Sequence, residues 1–270
     1  MSAEREVIHS HLWKEVAEAD NPFAAAACYC SGFDVYGDLL GKAKWVEYLY
    51  LLFTGEPPTS MQAKLLEGLA LALANPGPCD PSVQAAMCAG VGGSTAASSL
   101  MAALAVGAGQ LGGAREVFHA MENWQACRQD LEQWQQRFKN PPRDERADVW
   151  PLPEHPPGFD PYGNNSATPV RQTLAYLASC GPGDVLRWLQ QNALILEALA
   201  DRPLAMTGVA AAALIDLGFT PEQGEMLYLL LRLPGAAAHA LEQQEFGFRR
   251  YPFHGKGLIL EDDPGPVPSE

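Results

Sequence analysis

Three glycines, Gly107, Gly109 and Gly112, have the G-x-G-x-x-G spacing of a loop that binds the phosphates of a dinucleotide. Such a loop follows a β-strand, and an acidic residue roughly twenty positions later contacts the ribose. Here the preceding residues, SSLMAALAV, predict a helix, and Asp130 and Glu132 lie in a polar helical stretch. We therefore interpret the glycines as a corner between two closely packed helices.

Cysteine spacing argues against a metal centre. The six cysteines form no C-x-x-C pair, and Cys28 and Cys30 have no histidine partner at zinc-finger spacing. We therefore expect reduced and mostly buried thiols, no bound metal and no tightly bound cofactor.

The overall composition limits the class of protein and its partners. Hydrophobic residues make up 47% of the 270 positions, which excludes an intrinsically disordered chain. The net charge of -14 would repel a phosphate backbone, so nucleic acid is not expected as a partner. Because no uncharged apolar run reaches the roughly 18 residues of a membrane span, and no signal-peptide pattern opens the sequence, we expect a cytoplasmic protein without a membrane segment.

The elements that must position any site are predicted to be helices. Apolar residues recur at spacings of three and four, the pattern of amphipathic helices, and valine and isoleucine are too few for a buried parallel sheet. The best strand or hairpin candidate is 27–36, and the proline-rich segment 140–169 is predicted to be a binding loop or a linker. The predicted helices are 38–53, 61–74, 81–89, 94–106, 113–138, 168–180, 183–199, 204–217, 221–233 and 235–244.

Six segments, in order along about 35–257, resemble the citrate synthases and the related citryl-CoA lyases. The family's L-H-G-G-A turn is similar to GAGQLGGARE, and its P-G-F-G-H loop is similar to PPGFDPYGNNSATPVR. Its N-V-D-G helix resembles LAMTGVAAAALIDLGFTPEQG, and its Arg, Gly and Ala-His pattern resembles LLLRLPGAAAHALEQQ. Its first and last segments resemble GFDVYGDLLGKAKWVEYLYLLFTGEPPT and RRYPFHGKG. The short length and the last segment favour the citryl-CoA lyase-like branch, which includes the C-terminal module of ATP-citrate lyase.

The resemblance implies an all-α, citrate synthase-like fold of two domains with a cleft between them. The large domain would be 1–114 together with 204–270, and the small domain would be 115–203 with the proline-rich loop. An acyl-CoA and a small carboxylic acid would bind in the cleft, and domain closure would exclude water.

The implied reaction makes or breaks a carbon–carbon bond next to a thioester. A base removes a proton from the acyl group, while hydrogen-bond donors stabilise the enolate oxygen and polarise a carbonyl group. The family also implies a dimer, and the runs SSLMAALAVGAG and GVAAAALIDLG suit a contact between subunits.

Several positions of the family's active site are substituted in this chain. Leu111 replaces the histidine of the glycine turn, and Pro161 replaces the histidine of the P-G-F loop. Pro76 replaces a carboxylate-binding histidine. The base aspartate aligns with Thr207, whose hydroxyl cannot act as a base near neutral pH. True citrate synthase activity is therefore not expected.

Other positions keep the family's residues or a substitute for them. The resemblance assigns carboxylate binding to Arg232, to Gln110 and to one of Arg249 and Arg250, of which we choose Arg250. It assigns coenzyme A binding to Gly158 and Phe159. An arginine inside an apolar helix, as in LYLLLRLPG, can equally serve an internal ion pair, so both roles stay open for Arg232.

Two residues are left as catalytic candidates. Asp160 would act as a relocated base if its loop folds over the cleft, and is otherwise a turn-forming aspartate. Thr207 would donate a hydrogen bond to an oxyanion, or else cap the start of a helix. His239, in AAAHAL, is predicted to be a core histidine with satisfied hydrogen bonds.

Two functions of different classes follow from these residues. One is an enzyme that acts on an acyl-CoA and a carboxylic acid with a non-standard active site. The other is a catalytically silent paralogue that serves as a partner subunit of an active citrate synthase-like enzyme. Either would be a homodimer or a hetero-oligomer with a paralogue.

Overall fold

A computed structural model describes residues 9–142 and 154–253 of the chain. Within these residues the architecture is a set of packed α-helices with one small antiparallel sheet, so the predicted all-α class is confirmed. No helix in these ranges has the length and apolar character needed to cross a membrane. The middle of the proline-rich segment, 143–153, and the acidic tail lie outside the described residues.

The sheet consists of the strands β1 (Lys14–Ala17), β2 (Ala25–Cys30) and β3 (Phe33–Asp34), in that order. Ser31 and Gly32 form the turn between β2 and β3 with φ of 47° and 90°, a pair of left-handed residues typical of a tight hairpin. The predicted candidate 27–36 overlaps this hairpin, which begins two residues earlier at Ala25 and ends at Asp34. The sequence missed β1 because all four of its residues are exposed and show no alternating pattern.

Ten α-helices follow along the described residues. They are α1 (Trp45–Thr54), α2 (Ser60–Leu73), α3 (Pro81–Val91), α4 (Ala96–Gly107), α5 (Ala114–Cys127), α6 (Leu131–Lys139), α7 (Thr168–Cys180), α8 (Val185–Ala200), α9 (Met206–Asp216) and α10 (Pro221–Phe246). Thr59 and Thr220 begin α2 and α10 with capping boxes. The predicted helix 38–53 is divided, because Val35–Leu39 forms a separate short π-helix, Gly41 has a left-handed φ of 84°, and α1 starts at Trp45.

The polar stretch 113–138 forms two helices where one was predicted. Arg128 follows α5 with a φ of 48°, which ends the helix, and the side chain of Asp130 caps the start of α6. The two helices then pack together, and the rings of Trp124 and Trp134 meet edge to face with centroids 4.8 Å apart.

Helix α10 runs for 26 residues through Pro234, where two separate helices were predicted. A proline inside a helix removes one backbone N–H donor and weakens the helix at that point. The next residue, Gly235, donates its N–H to the carbonyl oxygen of Ala74 at 2.7 Å, and a Cβ at Gly235 would lie 2.6 Å from that oxygen. This tertiary contact supports the helix at the proline and fixes the middle of α10 beside the end of α2.

Helix α9 lies at the centre of the core, and residues 207–214 are all buried. It packs mainly against α5 and α8, while the adjoining α10 approaches α5 so closely that a Cβ at Gly224 would overlap the sulfur of Met121. The run GVAAAALIDLG is therefore enclosed within this chain. Its predicted use as a contact between subunits is wrong for the part in α9.

One hydrophobic cluster contains residues from both sides of the predicted domain division. It includes Leu66 and Leu214 of the proposed large domain and Trp124 and Leu177 of the proposed small domain. A second, smaller cluster joins α3, α4 and the last part of α10. The division into 1–114 with 204–270 and 115–203 stays a prediction.

A remote carboxylate caps helix α8. Asp216, at the end of α9, accepts the N–H groups of Val185 and Leu186 at 3.0 Å each. Removing this cap leaves two helix donors without a partner. We expect Asp216→Ala to lower the free energy of unfolding, measured in urea, by about 1–2 kcal/mol.

Asp184→Ala is the matched control for this prediction. Asp184 is the residue that begins α8, yet its side chain makes no capping hydrogen bond. Its substitution should change the free energy of unfolding by less than about 0.5 kcal/mol. Equal effects of the two substitutions would contradict the capping role of Asp216.

Candidate functional site

The glycines of the G-x-G-x-x-G pattern lie in the turn between α4 and α5. A helix and not a strand ends at Gly107, which excludes a dinucleotide loop at this place. Gly112 has a left-handed φ of 71°, and a Cβ at Gly113 would lie 2.7 Å from the carbonyl oxygen of Gly107. The interpretation as a corner between two helices is confirmed.

The P-G-F segment of the proline-rich loop is fastened to the residues that lead into α9. Phe159 and Leu204 form an antiparallel bridge, and the carbonyl of Gly158 accepts the N–H of Ala205 at 3.0 Å. Gly158 has a φ of 93°, and a Cβ there would lie 2.9 Å from the Cα of Gly208. Loop and helix therefore touch backbone to backbone, which requires glycine on both sides.

A buried carboxylate, Glu116, joins the glycine turn, this loop and α9. Glu116 is 2% exposed. Its Oε1 accepts the N–H of Gly158 at 3.0 Å and the hydroxyl of Thr207 at 2.6 Å, and its Oε2 accepts the N–H of Gly112. The Nε2 of His155, a buried histidine of the proline-rich loop, lies 3.7 Å from Oε2. These contacts from three separate segments define what we call the Glu116 cluster.

The sequence interpretation missed Glu116 and His155. The pattern of α5 carried a signal for Glu116, which lies four residues before Ala120 on the buried face of the helix, where Asn123 is the other polar residue. A carboxylate on the buried face of a helix needs hydrogen-bond donors, and so marks a place where other segments meet. His155 had no comparable signal, since it follows a proline-rich stretch without periodicity.

Thr207 occupies the position where the family has its base aspartate. It is buried in the first turn of α9, and its hydroxyl donates to Glu116. The helix begins after Ala205, which makes no side-chain cap. The alternative interpretation of Thr207 as the residue that caps α9 is therefore wrong.

Asp160 lies just beyond the bridge to α9 and is half-buried. Its backbone N–H donates to the carbonyl of Pro203 at 2.8 Å, and its Oδ1 accepts the N–H of Tyr162 at 2.8 Å. This is the hydrogen bonding of an aspartate in a tight turn. Pro161, the substituted position beside it, is exposed. A role of Asp160 as a base stays a prediction.

Arg232 lies in the middle of α10 and is 7% exposed. Its guanidinium forms an ion pair with Asp80, the residue that begins α3, and donates to the carbonyl of Gly112 at 3.5 Å. It also lies over the ring of Tyr228, 4.9 Å from the centroid. The internal ion pair exists, and binding of a substrate carboxylate by Arg232 stays a prediction.

Little space remains beside this arginine. A cavity of about 10 Å³, lined by Arg232, Ser82 and Gly107 among others, has room for about one water molecule. Burial raises the pKa of Tyr228 to about 12, while the nearby Arg232 charge opposes the rise. The tyrosine therefore stays protonated and contributes its ring, not a negative charge, to this environment.

The segment 75–77 contains the substituted carboxylate-binding position. Pro76 is exposed, and Gly77 turns the chain with a φ of 88°. The Nε2 of His239 lies 3.1 Å from Oδ1 of Asn75, and its Nδ1 lies 3.2 Å from Oε2 of Glu242. Both ring nitrogens of His239 have partners, which fits the predicted satisfied histidine, although the residue is half-buried and not in the core.

Three further predicted positions lie outside the Glu116 cluster. Gln110 is half-buried in the glycine turn, and the next residue, Leu111, is 63% exposed. Arg250 is exposed in the short turn of Phe248–Arg250. The assignments of Gln110 and Arg250 to carboxylate binding stay predictions.

Most of the cysteine thiols are buried, as the sequence predicted. Within the described residues, no group of three or more His, Cys, Asp or Glu side chains is arranged to hold a metal ion. The free thiols are mostly buried, namely Cys28, Cys30, Cys127 and Cys180, whereas Cys79 and Cys88 are exposed.

Comparison with known proteins identifies the fold. No family model matches the sequence, and no curated protein matches it. The solved structure of citryl-CoA lyase from Hydrogenobacter thermophilus is similar with a TM-score of 0.74, 17% identity, and coverage of 98% of this chain and 97% of that chain. The chain has the fold of a citryl-CoA lyase.

Two structures of ATP citrate lyase are similar over part of their length. The enzyme from Methanothrix soehngenii, in complex with citrate and coenzyme A, has a TM-score of 0.73 and 19% identity. A mutant of the enzyme from Methanosaeta concilii, in complex with (3S)-citryl-CoA, has a TM-score of 0.73 and 18% identity. In both cases the match covers 98% of this chain and 42% of the other. The resemblance seen in the sequence is therefore confirmed at the level of the fold.

The backbone contact between loop and α9 yields a testable prediction. A Cβ at Gly208 would overlap the carbonyl oxygen of Gly158 and lie 2.9 Å from Cδ1 of Leu204. Gly208→Ala should therefore lower the free energy of unfolding by about 1–3 kcal/mol, the usual cost of overpacking. Gly109→Ala is the control, because a Cβ there has its nearest neighbour at 3.5 Å. If both variants unfold alike, the close approach is not a constraint.

The ion pair of Arg232 yields a second prediction. Asp80→Asn keeps an acceptor for the N–H of Ser82 but leaves a buried guanidinium without a counter-charge. We expect a loss of about 3 kcal/mol in the free energy of unfolding. Adding Arg232→Met should recover part of this loss, because no unpaired charge then remains.

The exposed pair of Asp38 and Lys42 serves as the control for this experiment. Asp38→Asn should cost less than about 0.5 kcal/mol, since surface ion pairs contribute little. A double variant of Asp80 and Arg232 that is less stable than Asp80→Asn alone would contradict the proposed charge compensation.

Proposed function

We propose that this chain is a citryl-CoA lyase-like protein of the cytoplasm that binds an acyl-CoA and a small carboxylic acid. It would make or break a carbon–carbon bond next to the thioester, with a non-standard active site. The observation that supports this most is the convergence of the glycine turn, the P-G-F loop, the start of α9 and Arg232. The solved structures with this fold include complexes with citrate, coenzyme A and citryl-CoA.

The chemistry needs three kinds of group, and the chain offers a candidate for each. Proton removal beside the thioester needs a base, for which Asp160 at the end of the P-G-F segment is our candidate. The enolate oxygen needs donors, and the hydroxyl of Thr207 would be a neutral one after release of its hydrogen bond to Glu116. A substrate carboxylate needs a cation, and Arg232 is buried where desolvation strengthens such a pair. Gly158 and Phe159 would contact coenzyme A, and Gln110 and Arg250 the acid.

Synthesis of citrate itself is not part of the proposal. Leu111, Pro76 and Pro161 supply no imidazole at the three positions where citrate chemistry uses histidine. The hydroxyl of Thr207 has a pKa far too high for it to accept a proton from carbon near neutral pH. The acid or the acyl group would therefore differ from those of citrate synthase.

A second candidate function is supported by a different observation. Both strong charges near the predicted cleft have internal partners, because Asp80 neutralises Arg232 and three donors satisfy Glu116. This is the arrangement expected of a catalytically silent subunit that serves an active paralogue. The exposed apolar residues Met101, Val106 and Leu230 on α4 and α10 would supply the contact with a second chain.

Binding and turnover measurements on the purified chain test the first proposal. We expect saturable binding of coenzyme A by calorimetry and turnover with citryl-CoA or with acetyl-CoA and a 2-oxo acid. Asp160→Asn should abolish turnover while binding persists, because the amide keeps the turn but cannot take a proton. Asp201→Asn, at a fully exposed left-handed position, is the control and should leave turnover unchanged.

The outcomes separate the two functions. Turnover that survives Asp160→Asn would end the proposal of Asp160 as the base. An absence of both binding and turnover would overturn the proposal that the chain is an enzyme. A stable complex with a co-expressed paralogue, detected by light scattering, would then support the proposal of a silent subunit.

A further inference from the structure

The Glu116 cluster has the composition of a binding site for a carboxylate. Its donors come from three segments that are distant in sequence: the N–H of Gly112, the N–H of Gly158 and the hydroxyl of Thr207. Two of them bond one oxygen of the carboxylate and the third bonds the other oxygen. A planar anion with two equivalent oxygens satisfies all of them at once.

These hydrogen bonds argue against Glu116 as a base in this arrangement. The three donors occupy three of the roughly four lone-pair sites of the carboxylate, and the side chain is almost completely enclosed. A substrate could reach Glu116 only after the three segments had separated.

We propose that the cluster is a site for a small carboxylate and that Glu116 is its built-in occupant. The side chain enters from α5 and takes the place that a free carboxylate ion would otherwise fill. In doing so it connects the glycine turn, the P-G-F loop and α9. The inference rests on these contacts alone and holds whether or not the chain is an enzyme.

Removing the side chain defines the ligand that would replace it. Glu116→Ala deletes a CH₂ group and a carboxylate, whose heavy atoms are those of acetate. The donors on Gly112, Gly158 and Thr207 would remain, now facing a buried space without an acceptor. Because unpaired buried donors are unfavourable, acetate or formate should bind there and restore the connection.

The test measures thermal unfolding of Glu116→Ala with increasing sodium acetate or formate, with sodium chloride matched for ionic strength. We expect the melting temperature of the variant to rise with the logarithm of the acetate concentration above the dissociation constant, by about 3–6 °C at ten times that constant. The unsubstituted chain should respond to acetate no more than to chloride, because its own carboxylate fills the site. Propionate, which is larger, should act more weakly than acetate.

Glu122→Ala is the matched control on the same helix. Glu122 is half-exposed and bonds to His119, outside the cluster. This variant should show the same small response to acetate and chloride as the unsubstituted chain. If Glu116→Ala is folded and acetate affects it no more than chloride does, the inference is overturned.

A second variant covers the case in which Glu116→Ala does not fold under any condition. Glu116→Gln has the same shape, but it replaces one acceptor oxygen with an NH₂ group. This group, itself a donor, would face one of the donors of the cluster. We expect Glu116→Gln to have a melting temperature well below that of the unsubstituted chain, whereas Glu122→Gln should leave the melting temperature unchanged. A fully stable Glu116→Gln would show that the cluster does not require a carboxylate. Because no step uses coenzyme A or turnover, this result is independent of the proposed function.

Discussion

The arrangement of the predicted cleft depends on the hydrogen bonding of one buried carboxylate. Placing the charge of Glu116 in the interior is unfavourable by several kcal/mol unless donors replace the lost water. Those donors are available only when the turn after α4, the loop at 156–160 and the start of α9 meet at one point. The position of each segment therefore depends on the other two. The described part of a loop with little regular structure is thereby joined by hydrogen bonds to α5 and to the residues that lead into α9.

The same principle applies to the positive charge of the site. Arg232 is buried in an apolar helix, and its charge is neutralised by an ion pair with Asp80 at the start of α3. In enzymes that act on carboxylic acids, such a charge binds the substrate. In the structure described here, it forms an ion pair with another residue of the same chain. Any substrate would have to compete with Asp80 for the arginine. If the chain is an enzyme, its substrate must displace Asp80 from Arg232. If the chain is a silent subunit, the ion pair with Asp80 stays in place.

Much of the fold followed from periodicity in the sequence. The prediction 168–180 coincides with α7, because a strong apolar repeat and a proline in the first turn mark its limits. The interpretation of the glycines also held, since Gly112 and Gly113 have backbone geometries that other residues tolerate poorly. Local sequence determines such features, and local sequence was enough to predict them.

Other errors concern features that depend on distant residues. Pro234 does not end α10, because Ala74, far away in sequence, accepts the N–H of the next residue. Thr207 does not cap α9, because Glu116 takes its hydroxyl. The search for catalytic groups followed the positions of a known family, so a carboxylate that enters from a different helix went unnoticed.

Helix α10 has a consequence for how this protein can change over evolution. Its 26 residues extend for about 39 Å and contact α5 near the start, Asp80 in the middle and Gly90 of α3 near the end. Inserting or deleting one residue would rotate everything beyond it by about 100° and break the contacts on one side. Length variation should therefore be absent from α10, whereas the proline-rich segment can gain or lose residues. Related chains would share a helix of constant length and differ in the length of the proline-rich segment.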